Sequence, residues 1–233
     1  MANDLKLEDL ISTQRLSYYK DINEHFDNLI FISKLTPKIA TIEICIRNIF
    51  DMHYPKDWII QSQDSEIQKQ VKIIQHRYKN NNNINHEQYL SNLTFGSIVY
   101  LIKSKGLKYH LFFNNVNIIN FKDYSNSNKK YYKTEKRPKN KFTDQDVFII
   151  ILNLLVEIRN RSYHWENMLK TKIDINNSNK ILPRISTNIR NTTIGIMPEK
   201  IITFLDDVLD MINPNIKQFL NIQKNKRRRF KKK

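Results

Sequence analysis

The chain has 233 residues, with 39 Lys and Arg against 23 Asp and Glu, one Cys and only three Gly. That length admits one large domain or two small ones, and 12 Phe and 11 Tyr in a 40% hydrophobic chain exclude disorder over most of it. Gly96, Gly106 and Gly195 are too few for the phosphate loops of Rossmann or P-loop folds, and too few for a β-sandwich or barrel turning roughly every ten residues. Cys45 alone excludes an internal disulfide framework and a cysteine-based zinc cluster. The opening MANDLKLEDL is charged and amphipathic rather than signal-like, and the apolar run Val147–Val156, broken by Asn153, is too short to span a bilayer. The expectation is a soluble, cytoplasmic, all-α chain.

In chain order, apolar residues at three- and four-residue steps predict helices over Leu5–Leu16 and Ile22–Leu35, with Pro37 interrupting before a buried helix at Ile39–Phe50. On the latter, Glu43 and Arg47 stand four apart on one face with Asn48 beside them. Pro55 and Asp57 end that element. Ser65–Tyr78 reads as an exposed amphipathic helix stopped by the run Asn80–Asn83, and His86–Phe113 as a helix pair around Gly96 and Gly106. From Asn114 to Asn140 the Asn, Lys, Ser and Tyr content predicts a long loop, an insertion over about 114–141. Thr143 caps a new helix, with Asp144 and Asp146 in its first turn, running to about Leu169. Asp174–Ile194 reads as irregular, and Glu199–Ile212, behind Pro198, as a closing amphipathic helix. Residues 1–223 are expected to form one domain, followed by a disordered basic tail at 224–233.

Net charge is +16, of which the tail carries +8 through Lys224, Lys226, Arg227, Arg228, Arg229, Lys231, Lys232 and Lys233. A second basic stretch runs from Lys129 to Lys141 and includes Lys130, Tyr131, Tyr132, Lys133, Lys136 and Arg137. Cations interleaved with aromatics suit single-stranded nucleic acid, because bases stack while phosphates are neutralised. The same residues also fit a solvated loop and a frayed tail, so charge points to a polyanion without choosing one.

The helix predicted after Thr143 is apolar on most of its girth except for one stripe. At 100° per residue, Asn153, Glu157, Asn160, His164 and Asn167 fall within about 40° of one direction. Five aligned polar groups on a buried helix need water, another chain or a ligand in front of them, since each unpaired group costs about 1–3 kcal/mol. A polar ladder inside a bundle, or a solvent face, satisfies the same pattern.

Arg159-Asn160 and His164 within this helix look like the R-x4-H motif of HEPN ribonucleases, in which a polar residue follows the arginine. Ile42–Asn48 resembles the Glu-x-x-x-Arg-Asn helix of the bacterial abortive infection (Abi) proteins, with Glu43, Arg47 and Asn48 at the matching places. Leu93-Thr94-Phe95-Gly96 resembles their Leu-Thr-Phe-Gly segment, and Arg159–Glu166 their Arg-Asn-Arg-x-x-His-x-Glu block. Order and rough spacing agree from about Leu16 to Leu209. Trp165 departs from the pattern, standing where the family commonly has a second His, and the basic tail lies outside it.

Resemblance to the AbiD/AbiF type implies a HEPN-like helical bundle and a metal-independent endoribonuclease acting as an anti-phage toxin in the bacterial cytoplasm. It implies no cofactor. It assigns His164 to proton transfer, Arg159 to the scissile phosphate and Asn160 to orientation, with Arg161 beside them as an RNA contact. On an ideal helix Arg159 and His164 point about 140° apart, so the resemblance also implies a homodimer in which two motifs face each other. RNA is the implied substrate, and a small noncoding RNA the implied regulator. A non-catalytic RNA-binding module and a helical interaction protein share the same charge and helix content and stay open.

Overall fold

The computed structural model describes residues 6–79, 83–135, 137, 139–175 and 177–221. Ile32, Leu35, Ile39, Ile42, Ile46 and Phe50 recur at helical spacing and are all buried, and they lie on one helix, α3 (Ile22–Met52), which passes straight through Pro37. The two helices expected around Pro37 are therefore one. An interior proline forfeits one backbone hydrogen bond at about 3 kcal/mol. Six fully desolvated aliphatic and aromatic side chains on a shared stripe, at about 1.5–3 kcal/mol each, outweigh it. Short helices α1 (Leu7–Ile11) and α2 (Thr13–Leu16) precede α3. After it come α4 (Trp58–Gln61), α5 (Ser65–Arg77), α6 (His86–Asn92) and α7 (Phe95–Ser104).

Thr143 caps α8 (Asp144–Tyr163) as expected, in a reciprocal capping box with Asp146. The helix stops at Tyr163, however, rather than near Leu169. α9 (Ile201–Ile212) packs on α3, which also meets α7 and α8, and α10 (Ile216–Asn221) follows. Their apolar faces form one core in which Phe50, Phe113, Phe148 and Phe204 are fully buried.

The all-α expectation is overturned: 59% of the chain is helical and 12% lies in three small antiparallel strand pairs. β1 (Tyr131–Tyr132) pairs with β2 (Asn140–Lys141), β3 (Thr171–Asp174) with β4 (Asn177–Pro183), and β5 (Ile185–Ile189) with β6 (Thr192–Ile196). The stretch read as irregular is thus mostly hairpin. Alternation across Ile185, Thr187 and Ile189 and across Thr192, Ile194 and Ile196 supplies β-branched residues for the pair, and its β5 strand lies on α8. The tight turn is made without glycine: Arg190 and Asn191 both adopt left-handed backbone (φ 48° and 55°), the twist that suits a two-residue hairpin.

Glycine is obligatory at one point of this layer. A Cβ on Gly195 would stand 2.4 Å from Pro183 Cγ and 2.8 Å from the Ile185 carbonyl oxygen. Its backbone is also clasped by Asn128, which donates Nδ2 to the Gly195 carbonyl and accepts the Gly195 N–H at Oδ1 (2.7 and 2.8 Å). The segment expected to be a loose insertion is therefore anchored. Val116, Ile119, Phe121 and Tyr124 join the core, and Tyr124 donates its hydroxyl to Asp207 (2.6 Å). Among the described residues no helix is long and apolar enough to cross a membrane.

Candidate functional site

Helix α8 ends on a left-handed residue. The Trp165 N–H donates to Ser162 O (3.1 Å) and the Glu166 N–H to Arg161 O (2.9 Å), the reciprocal pair that closes many helix C-termini. The left-handed position usually holds Gly; here it holds Trp165, at φ 56°. That backbone costs a side-chain-bearing residue about 1–2 kcal/mol. The turn is held from outside. Arg15 donates an amino group to the Trp165 carbonyl (2.8 Å), and Arg184 donates to the Asn167 carbonyl (3.1 Å) and to Glu166 Oε2 (2.6 Å).

Beneath the turn lies Asn28 of α3, fully buried. Its Nδ2 donates to the Glu166 carbonyl (3.0 Å) and to the Tyr19 hydroxyl (3.2 Å), and its Oδ1 accepts the Met168 N–H (2.7 Å). One side chain thus ties Glu166 and Met168, the residues just past His164, to α3. Around it opens a cleft of about 460 Å³, walled by Arg15, Tyr18, Tyr19, His164, Trp165 and Arg184. His164 is the helix C-cap and its side chain is exposed. Cations, an accessible imidazole and exposed aromatics therefore share one cavity.

Arg159 does not line that cleft. Its Nε donates to Glu43 Oε2 (3.3 Å), one amino group donates to Asn160 Oδ1 (3.4 Å), and the guanidinium lies 4.7 Å from the Tyr163 ring centroid. Burial pushes the Tyr163 phenol up, as does the Glu43 carboxylate, while Arg159 draws it down. Glu43 Oε1 accepts from Arg47 (2.7 Å), and the same Arg47 amino group donates to the Leu93 carbonyl (3.1 Å). The three segments quoted for the Abi resemblance therefore meet at the Glu43–Arg47 ion pair. Asn160 and Asn48 are exposed. Arg161 is engaged by Glu157 Oε1 (2.7 Å) and Glu166 Oε2 (2.6 Å) and braces the turn.

The expected polar stripe does not face one unfilled surface. Asn153 bonds Lys103 and Thr187, so its part of the stripe packs against β5. Asn167 lies past the helix end and donates to the Tyr18 carbonyl (3.0 Å). In the basic segment, Lys129, Lys130 and Tyr131 line a second cavity of about 420 Å³ with Lys122 and Lys141. Tyr132 packs on Phe142, with the Arg190 guanidinium 5.6 Å from its ring centroid. Lys133 and Arg137 are exposed. Lys136 and the tail cations Arg227, Arg228 and Arg229 lie outside the described residues.

Arg15, Tyr19, Asn28 and Arg184 were not singled out by sequence reasoning. Only Asn28 leaves a signal: with His25 it extends the buried stripe of α3 toward its N-terminus, where a polar residue at a core position demands partners. His25 is 4% exposed and packs edge-on against Tyr19 (4.9 Å). Burial, then the nearby Arg15 charge, lowers its pKa. Between that lowered value and the unfolded value of about 6.5, the unfolded chain binds more protons, so stability falls as pH drops through this window. Urea midpoints measured from pH 7.5 to 5 are expected to fall for the native chain and to fall less steeply for His25→Phe. Equal slopes would contradict the burial of a neutral imidazole.

Among the described residues no group of three or more His, Cys, Asp and Glu is placed to hold a metal ion. In comparison with known proteins, no family model, curated protein or solved structure matches the chain.

Proposed function

We propose that the protein is an endoribonuclease that cuts RNA without a metal ion in the cleft around His164, acting as an anti-phage toxin of the abortive infection type. The observation that carries this reading is the accessible His164 imidazole in a cavity shared with Arg15, Arg184, Tyr18 and Trp165. In such a reaction the RNA 2′-oxygen bonds to the adjacent phosphorus and the 5′-oxygen leaves. One proton departs the nucleophile and one arrives on the leaving group. His164 supplies a group suited to either transfer, and the arginines offset the charge that builds on the phosphorane oxygens.

Convergence of Glu43, Arg47, Leu93 and Arg159 on one ion-paired cluster supports the Abi resemblance. Because Arg159 lies outside the His164 cleft of its own chain, the proposal places it at the cleft of a second copy, in a homodimer. The basic cavity at Lys129, Lys130 and Tyr131 then extends the path of the RNA.

The test is incubation of the purified protein, in excess chelator, with a single-stranded RNA and with the all-deoxy strand of the same sequence. Cleavage of the RNA alone is expected, since only RNA carries the 2′-hydroxyl. Cleavage of both strands, or of neither until a divalent metal is added, would contradict the proposal.

A further inference from the structure

Trp165 stands out in the cleft for reasons the cutting reaction does not explain. It occupies a left-handed helix-closing position that glycine fills without strain, and it is 50% exposed. A large aromatic held in strained backbone and left in water contributes nothing to the core, and outliers of this kind cluster at ligand contacts. Tyr18, 59% exposed, lines the same cavity, with Lys170 Nζ 5.8 Å from its ring centroid. Among the described residues the one carboxylate on the cavity wall, Glu166, is neutralised by Arg161 and Arg184, so the cleft presents cations beside exposed aromatic rings.

We infer that Trp165 and Tyr18 form a stacking platform that holds an unpaired base of single-stranded RNA beside His164. The inference rests on the reading of this cleft as an RNA site. Stacking needs a base whose faces are free, which a continuous duplex does not offer, and a cavity of about 460 Å³ is within the usual range for a small-molecule site. Arg15, Lys170 and Arg184 meet the flanking phosphates. Because every base has a π-face, the platform selects for strandedness and little for sequence.

The test uses a single-stranded oligonucleotide made 2′-O-methyl throughout, so that it binds without being cut. Intrinsic fluorescence reports the contact directly: of the two tryptophans, Trp58 is 7% exposed and bonded to Asp51, leaving Trp165 to respond. Saturable quenching is expected with the base-bearing strand, and none with an abasic strand of equal length or with a blunt duplex. Trp165→Gly keeps the turn, since glycine prefers the same backbone. It is expected to fold at least as well and to bind the strand about 5- to 150-fold more weakly, the range for loss of one stacked base. Tyr18→Ala should weaken binding in the same range.

The inference is overturned if Trp165→Gly binds as tightly as the native chain, or if abasic strand and duplex quench equally well. His164→Ala separates the two readings. Normal quenching by this variant without RNA cleavage supports both. Quenching that follows this pattern, on a protein that never cuts RNA, leaves the platform standing and removes the nuclease. Cleavage that persists with Trp165→Gly binding unchanged does the reverse.

Discussion

His164→Ala is expected to slow RNA cleavage by about 10²–10⁴-fold, the usual contribution of one positioned acid–base group, with no change in thermal midpoint. The expectation of unchanged stability follows from its position. The side chain is exposed, and what His164 gives the fold is its backbone N–H, donated to Asn160 O at 3.0 Å. Alanine preserves that bond. Arg159→Ala is expected to lose activity as well, and mixing the two inactive chains gives the assembly a direct reading. If each site joins Arg159 of one copy to His164 of the other, a mixed dimer has one intact site and partial activity returns. If both residues act within one chain, the mixture stays inactive. Native-level cleavage by His164→Ala alone would remove the residue from the chemistry.

Asn28→Ala is expected to have the largest effect on stability, about 3 kcal/mol, read as a lowered urea midpoint with an unchanged m-value. Two groups lose their partner at once, the Met168 N–H and the Glu166 carbonyl, and the Tyr19 hydroxyl loses a donor while still donating to the Trp165 carbonyl. Buried polar groups left unpaired cost about 1–3 kcal/mol each. Partial entry of water keeps the sum near the lower end. The segment 164–168 then loses its tie to α3, so cleavage should fall together with stability. Asn28→Asp keeps an acceptor for Met168 but no donor, and should also destabilise the turn. A midpoint within experimental error of the native chain would show that the turn is held by Arg15 and Arg184 without Asn28.

The elements that could be read from the chain are those whose local chemistry and tertiary role agree. The Thr143 cap with Asp144 and Asp146 in the first turn, the amphipathic Ser65–Arg77 helix and the breaks near Pro55 and Pro198 are of this kind. Pro37 misled because a local penalty of a few kcal/mol lost to a core stripe that only packing reveals. The hairpins between Thr171 and Ile196 were missed for a related reason. Scarcity of glycine suggests scarcity of tight turns, yet Arg190 and Asn191 accept left-handed backbone between strands of β-branched residues. Asn128 and Gly195 then bind the hairpin to a segment whose composition suggested a free loop.

At the site, His164 and Arg159 were legible as a spaced motif whose members point about 140° apart on an ideal helix, but the cleft around His164 was not. It depends on where α8 ends, and that end is set by a turn centred on Trp165, a residue with no intrinsic preference for left-handed backbone. Arg15 and Arg184 reach the cleft from 149 residues upstream and 20 residues downstream of His164, contacts that only the tertiary fold brings together.

The chemistry of the cut ends tests the central claim most directly. RNA fragments produced by the purified protein in excess chelator can be weighed by mass spectrometry. Attack by the RNA's own 2′-oxygen predicts a 2′,3′-cyclic phosphate on the upstream fragment and a free 5′-hydroxyl on the downstream one. Fragments carrying a 3′-hydroxyl and a 5′-phosphate would mean that water, not the 2′-oxygen, is the nucleophile, and would contradict the mechanism placed at His164.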